Sequence, residues 1–177
     1  TSVFATLFLA KTDEINVDPT TSPVRVTSNK YDSKGLELEA AVRAGSFALQ
    51  GGVTFTDAKI TSSSDSKLVG KTPKRQAKVV YQLTPTYTLG DAWVVGASIV
   101  GTSASKDDSP TGPLTVTLPA FTAVNAFVNV AITANASLTV GVNNLFDTIG
   151  YTESNDGRGA ARSINGRTAK ATLKYTF

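Results

Sequence analysis

From Thr168 to Phe177 the chain alternates without a break. Ala169, Ala171, Leu173, Tyr175 and Phe177 are apolar, whereas Thr168, Lys170, Thr172, Lys174 and Thr176 between them are polar or charged. Strict alternation over such a length predicts a strand whose two faces meet different solvents. The same period recurs upstream, and eight strands are expected near 2–12, 34–44, 46–58, 75–88, 92–104, 120–132, 136–147 and 167–177.

Parity sorts these strands onto one apolar face. It takes Leu36, Leu38, Ala40 and Val42, then Phe47, Leu49, Val53 and Phe55, then Val79, Tyr81 and Leu83. Trp93, Val95, Ala97 and Ile99 follow, then Val124, Val128, Val130 and Ile132, and lastly Leu138, Val140 and Val142. On the opposite parity lie Glu37, Glu39, Arg43, Gln50, Lys78, Gln82, Asn125, Asn129, Asn143, Lys170 and Lys174. The first strand sorts less cleanly, because Phe4 and Phe8 share a parity against Leu7 and Leu9. A local bulge or a contact inside the barrel would each account for it.

The connections alternate in length. Short turns are expected at Ala44-Gly45, Leu89-Gly90-Asp91 and Ala134-Asn135, and long loops at about 13–33, 59–74, 105–119 and 148–166. With the C-terminus on the periplasmic side, every short turn falls there and every long loop falls outside. Strands of about ten residues, rising ~3.3 Å each and tilted ~45°, cover roughly 23 Å, the height of an outer-membrane apolar band. Phe47, Tyr87, Trp93, Tyr175 and Phe177 fall beside the short turns, and Phe55 and Phe146 near the other rim, as two aromatic girdles would. The expected fold is all-β, an antiparallel transmembrane β-barrel.

Composition narrows the chemistry. Charged residues make up 18% of the chain, below the roughly 25% usual for soluble domains. Cys and His are absent, which removes disulfides, thiolates and the usual zinc, copper or haem ligands, so no cofactor is expected. No apolar run approaches the ~18 residues of a transmembrane helix. The net charge of +3 is scattered and forms no basic cluster interleaved with aromatics, which argues against nucleic acid as a partner. The chain starts at Thr1 without a signal peptide, and is read as part of a longer polypeptide.

Catalysis finds no foothold: there is no triad, nucleophile elbow, phosphate loop or metal-ligand cluster, and the chain is read as no enzyme. Glu37 and Glu39 are expected to face a wet lumen and pair with Arg43, Lys78, Lys170 or Lys174; a charge facing lipid instead costs ~2–4 kcal/mol for Arg or Lys. Asn125 and Asn129 join them as lumen-facing groups. The polar stretch 151–162 offers Glu153, Asp156, Arg158 and Arg162 as candidates for ligand capture. A solvated loop, or one holding lipopolysaccharide phosphates, explains the same residues with less.

Asn144-Leu145-Phe146-Asp147, then Gly166-Arg167, then a closing Tyr175-Thr176-Phe177 resemble the C-terminal end of TonB-dependent outer-membrane receptors. Gly35-Leu36-Glu37-Leu38-Glu39, Thr54-Phe55-Thr56-Asp57-Ala58, Gly70-Lys71-Thr72-Pro73 and Leu118-Pro119-Ala120-Phe121-Thr122-Ala123-Val124-Asn125 resemble the same family in the same order. The resemblance covers essentially all 177 residues. It implies that residues 1–177 are the C-terminal part of a barrel of about 22 strands around a plug, with the plug and TonB box outside them. It further implies a bacterial outer-membrane location and energy-coupled uptake of a bulky solute, ferric siderophore first, with haem, cobalamin or carbohydrate behind it. The partners implied are TonB, the plug and remaining barrel, outer-membrane lipid and lipopolysaccharide. Leu173, Tyr175 and Phe177 resemble the terminal signal read by the barrel-assembly machinery.

Two other readings stand beside this one. A self-contained eight-stranded barrel with a structural or adhesive role fits the strand count, but calls for large polar interior residues. Gly52, Thr54, Gly96, Ser98, Thr139 and Gly141 are small, as in a wide barrel packed on a plug. A soluble β-sandwich would place its aromatics mid-strand rather than at the rims.

Overall fold

The computed structural model describes residues 1–109, 112–154 and 161–177. Its strands are β1 (Ser2–Asp18), β2 (Arg25–Ala44), β3 (Phe47–Ser63), β4 (Val79–Leu89), β5 (Trp93–Thr102), β6 (Ser105–Ser109), β7 (Gly112–Leu118), β8 (Phe121–Thr133), β9 (Ala136–Asn143), β10 (Tyr151–Glu153), β11 (Arg162–Ser163) and β12 (Thr168–Tyr175). Eight form one antiparallel sheet in the order β1-β2-β3-β4-β5-β8-β9-β12. The pairs β6–β7 and β10–β11 are small separate sheets within the long connections.

Register sets the two faces. Leu36 lies between Leu7 and Phe55, and Val95 between Tyr87 and Val128. Val140 lies between Val128 and Ala171, and Leu138 between Val130 and Leu173. Because successive side chains point to opposite sides of a pleated strand, these rungs make one unbroken apolar face, with Leu7 83% and Leu9 87% exposed. Among the described residues, the buried apolar side chains are Ala58, Ile60, Ala77, Leu118 and Ala123. All of them lie at the end of the sheet that carries the long connections. A sheet with no core of its own and an apolar face this exposed is built for a hydrocarbon solvent.

The first strand needs no bulge, since β1 and β2 pair without a break from Ser2↔Ala41 to Asp18↔Arg25. Leu7 and Leu9 join the apolar face, and Phe4 and Phe8 take the other. There the Phe8 ring lies directly over Gly35, where a Cβ would collide with the ring and with the Phe55 carbonyl oxygen. Glycine at 35 is therefore a requirement of close approach.

The sheet is open. β1 and β12 are its edges and share no backbone pairing, so the self-contained eight-stranded barrel is not formed. Both edges leave a row of N–H and C=O groups for another strand.

Strand ends depart from the pattern in an instructive way. The expected loop 13–33 is largely a hairpin that continues β1 and β2 to the Asp18↔Arg25 pair, and β3 runs on to Ser63. The expected loops 105–119 and 148–166 contain β6–β7 and β10–β11. Beyond the apolar band both faces of a strand meet water, so alternation vanishes while pairing continues. Lys11↔Asp32, Asp13↔Lys30, Lys34↔Asp57 and Asp32↔Lys59 mark that transition as a band of opposite-charge rungs just past Leu9, Leu36 and Phe55. Lys30 Nζ and Asp13 Oδ2 are 3.0 Å apart. Conversely, residues 75–78 are not strand: β4 begins at Val79, and Arg75 adopts φ 58°.

Candidate functional site

The polar face of the sheet carries a concavity of about 730 Å³ whose lining includes Phe4, Glu39, Gln50, Thr54, Gln82 and Phe121. Glu37 sits opposite Thr6 and Thr54, and Glu39 opposite Phe4 and Gly52. Neither makes an ion pair among the described residues, so the expected pairing with Arg43 or the lysines is not seen. The register explains why. Arg43 faces Ala48 near the short-turn end, four positions along the strand from Glu39, or ~13 Å at the strand rise. Lys170 faces Gly141 and Lys174 faces Ser137 at the far edge of the sheet, and Lys78 lies one position before the Phe55↔Val79 rung. Asn129 Nδ2 donates to Thr139 Oγ1 at 2.7 Å on the same face.

Asn125 has a different task. Its Oδ1 accepts the backbone N–H of Asn144 at 2.8 Å, where β9 ends. Asn144 is 4% exposed and takes φ 48°, a left-handed conformation that Asn adopts more readily than most residues. Its Nδ2 donates to the carbonyls of Thr148 at 2.9 Å and Asn165 at 3.0 Å, and its Oδ1 accepts the Thr148 N–H at 2.9 Å. Asp147, at φ 53°, accepts the N–H of Arg167 through Oδ1 at 2.8 Å. The two polar members of Asn144-Leu145-Phe146-Asp147 thus close the root of the last long connection.

The other ends of the long connections meet at Arg75. Its Nε lies 3.1 Å from Asp107 Oδ2 on β6, and its Nη2 lies 2.7 Å from Glu153 Oε1 on β10. Arg162 Nε on β11 approaches Glu153 Oε2 at 3.5 Å, and the N–H of Ser154 donates to Asp107 Oδ2 at 2.7 Å. The Asp107 side chain is 1% exposed and that of Glu153 18%. Burial works against the Arg75 charge, but the hydrogen bonds and charges of Asp107 and Glu153 outweigh it and hold the guanidinium above its ordinary range. Two of the expected ligand-capture residues, Glu153 and Arg162, are therefore brought together in one network; Asp156 and Arg158 lie outside the described residues. Sequence reasoning missed Arg75 and Asp107, which belong to different connections 32 positions apart and share no motif.

A further polar network stands on the projecting part of the β1–β2 hairpin. The Tyr31 hydroxyl donates to Glu14 Oε2, Asn29 Nδ2 donates to the same oxygen at 3.4 Å, and Ser63 Oγ donates to Asn29 Oδ1 at 2.7 Å. Hydrogen bonds from Tyr31, Asn16 and Asn29 hold the Glu14 carboxyl below its ordinary value. At the opposite end, Leu173 pairs with Leu138 and Tyr175 with Ala136. The Tyr175 and Phe177 rings meet edge to face at 5.1 Å.

Comparison with known proteins matches this geometry. A family model described as TonB dependent receptor-like, beta-barrel, matches residues 3–145. The ferrichrome outer membrane transporter/phage receptor of Escherichia coli K12 is 30% identical over 146 residues, spanning 78% of this chain and 19% of that protein. The metal-pseudopaline receptor CntO of Pseudomonas aeruginosa is 29% identical over 154 residues, 81% of this chain and 20% of that protein. The chain thus spans about a fifth of the length of these relatives. Among solved structures, the pyoverdine outer membrane receptor FpvA of P. aeruginosa PAO1 superposes with a TM-score of 0.75 at 20% identity, covering 99% of this chain and 27% of that one. The ferric citrate transporter FecA gives 0.75 at 17% identity, with 99% and 29% covered. Fold, face pattern and family match agree: this chain belongs to the TonB-dependent receptors and forms part of their β-barrel.

Proposed function

We propose that these strands are the C-terminal part of the barrel wall of an outer-membrane receptor that takes up a bulky, scarce solute with energy from TonB, ferric siderophores foremost. The observation that carries this reading is the open sheet itself. It has one apolar face for lipid, one polar face and two unpaired edges that call for further barrel strands. Relatives named for ferrichrome and for metal-pseudopaline favour a metal chelate as the solute; haem, cobalamin and carbohydrate are the other candidates.

In this reading the short turns and the C-terminus are periplasmic and the long connections extracellular. The polar face lines a lumen into which Glu37, Glu39, Arg43, Lys78, Asn125, Asn129, Lys170 and Lys174 contribute. Carboxylates such as Glu37 and Glu39, with no ion-pair partner among the described residues, suit donors on whatever fills that lumen, a plug in this reading. The long connections, with Glu153, Asp156, Arg158 and Arg162, help to capture the solute before TonB displaces the plug. Plug and TonB box belong to other parts of the protein. Lipid and lipopolysaccharide surround the wall, and Leu173, Tyr175 and Phe177 present the terminal signal to the barrel-assembly machinery.

The test is solute uptake by iron-limited cells lacking the gene, supplied in turn with radiolabelled ferric hydroxamate, ferric catecholate, haem and cobalamin. Loss of uptake of one ferric chelate, restored by the intact gene and lost again without TonB, is the expected result. Unchanged uptake of all four solutes in the deletion strain overturns the assignment.

A further inference from the structure

The long-loop end of the sheet holds connections that leave it at different places, yet one side chain reaches across them. Arg75 belongs to the β3–β4 connection, Asp107 to the β5–β8 connection, and Glu153 and Arg162 to the β9–β12 connection. We propose that Arg75 is a positioning residue that couples these connections into a single unit, with Asp107 as its buried anchor and Glu153 as the bridge to the last one.

The geometry supports it at each contact. Arg75 is held at both levels: its N–H donates to the Lys106 carbonyl at 2.7 Å while its side chain reaches Asp107, so backbone and guanidinium grip the same strand. A non-glycine residue at φ 58° is disfavoured unless its surroundings hold it there. The planar guanidinium offers donors in a fixed fork, which lets Nε and Nη2 serve two carboxylates on separate elements. Asp107, at 1% exposure, is shielded from water, so its contact with the Arg75 guanidinium is stronger than one at the surface. Ser154, the neighbour of Glu153, binds the same Asp107 oxygen as Arg75, so β6 and the end of β10 meet at one carboxylate. The last connection is already pinned at its root by Asn144 and Asp147. Release of Arg75 therefore loosens the β6–β7 hairpin and the β10–β11 pair together, with the Ser154–Asp107 bond left between them and the sheet below unchanged.

Hydrogen exchange on the complete receptor in outer-membrane vesicles tests the coupling. With Arg75→Gln, amides of 105–109 and 112–118 and those of 151–154 and 161–163 are expected to exchange about tenfold faster in parallel, with β8 and β9 unchanged. Arg75→Lys keeps the charge but not the fork, and is expected to protect one of the two regions and not both. Faster exchange confined to residues 64–78 in Arg75→Gln overturns the proposal. Should that variant fail to assemble, Glu153→Gln serves instead: exchange at 151–154 and 161–163 must rise, and unchanged protection there equally overturns it. Neither outcome touches the identity of the solute.

Discussion

Asp147 accepts the backbone N–H of Arg167, twenty positions along the chain, at 2.8 Å, and so joins the start of the last long connection to its end. Asn144 completes the joint by bonding Thr148 and the Asn165 carbonyl from a left-handed backbone. The residues by which the chain resembles its family at this point are therefore structural in effect. They hold β9 and β12 in register where the connection between them is longest.

Asn144→Ala should destabilise the barrel by about 2–4 kcal/mol, combining lost buried hydrogen bonds with a strained left-handed alanine. Asn144→Gly removes the same bonds but relieves the backbone, and should fall near half that loss. Urea unfolding in detergent micelles, followed by Trp93 fluorescence, distinguishes the two. Equal midpoints for both variants would count against the backbone contribution.

Ala97 and Ser98 are adjacent on β5 but face opposite solvents: Ala97 pairs with Ala126 on the apolar face, Ser98 with Asn125 on the polar one. Ala97→Arg should cost ~2–4 kcal/mol and Ser98→Arg far less, because only the first places a charge in hydrocarbon. The fraction of protein migrating as folded, unheated barrel reports the difference. A larger loss for Ser98→Arg would mean that the faces are reversed, and similar losses for the two that neither meets lipid.

Gly35→Ala should destabilise by about 1–3 kcal/mol, since the added methyl meets the Phe8 ring and the fixed Phe55 carbonyl. Combining it with Phe8→Leu relieves only the ring. Partial recovery of the unfolding midpoint in the double variant is therefore the expected outcome, and full recovery would assign the whole effect to Phe8.

The β1–β2 projection should loosen in acid. Hydrogen bonds led by that from Tyr31 lower the folded-state value of the Glu14 carboxyl below its ordinary 4.5. A depressed acid stabilises the fold above its unfolded value, and that contribution is lost as pH falls through the lower, folded one. Amide exchange at 13–18 and 25–31, compared at pH 6 and near pH 3, should show a loss of protection on acidification. In Tyr31→Phe that loss should be smaller, because the bond that depresses Glu14 is already gone.

The apolar face and the short turns were legible from sequence because the bilayer tests each residue separately. Leu38, Val95 or Val140 needs to be apolar whatever its neighbours are, and the two-residue period of the strand writes that requirement directly into the chain. Above the bilayer this rule stops, and Asp13–Asp18 pair with Arg25–Lys30 while reading as loop.

By itself, then, the sequence determined the fold class, the number of strands in the main sheet and the parity of nearly every one, because each follows from local alternation and connection length. Only the tertiary structure decided that the sheet stays open at β1 and β12, that Phe8 covers Gly35, and that Asn144 and Asp147 form a corner. The meeting of Arg75 with Asp107 and Glu153 belongs to the same group. In water-exposed connections any polar residue satisfies the solvent, so no period marks which of them will touch. That choice is made by the paths of three connections folding over one end of a sheet.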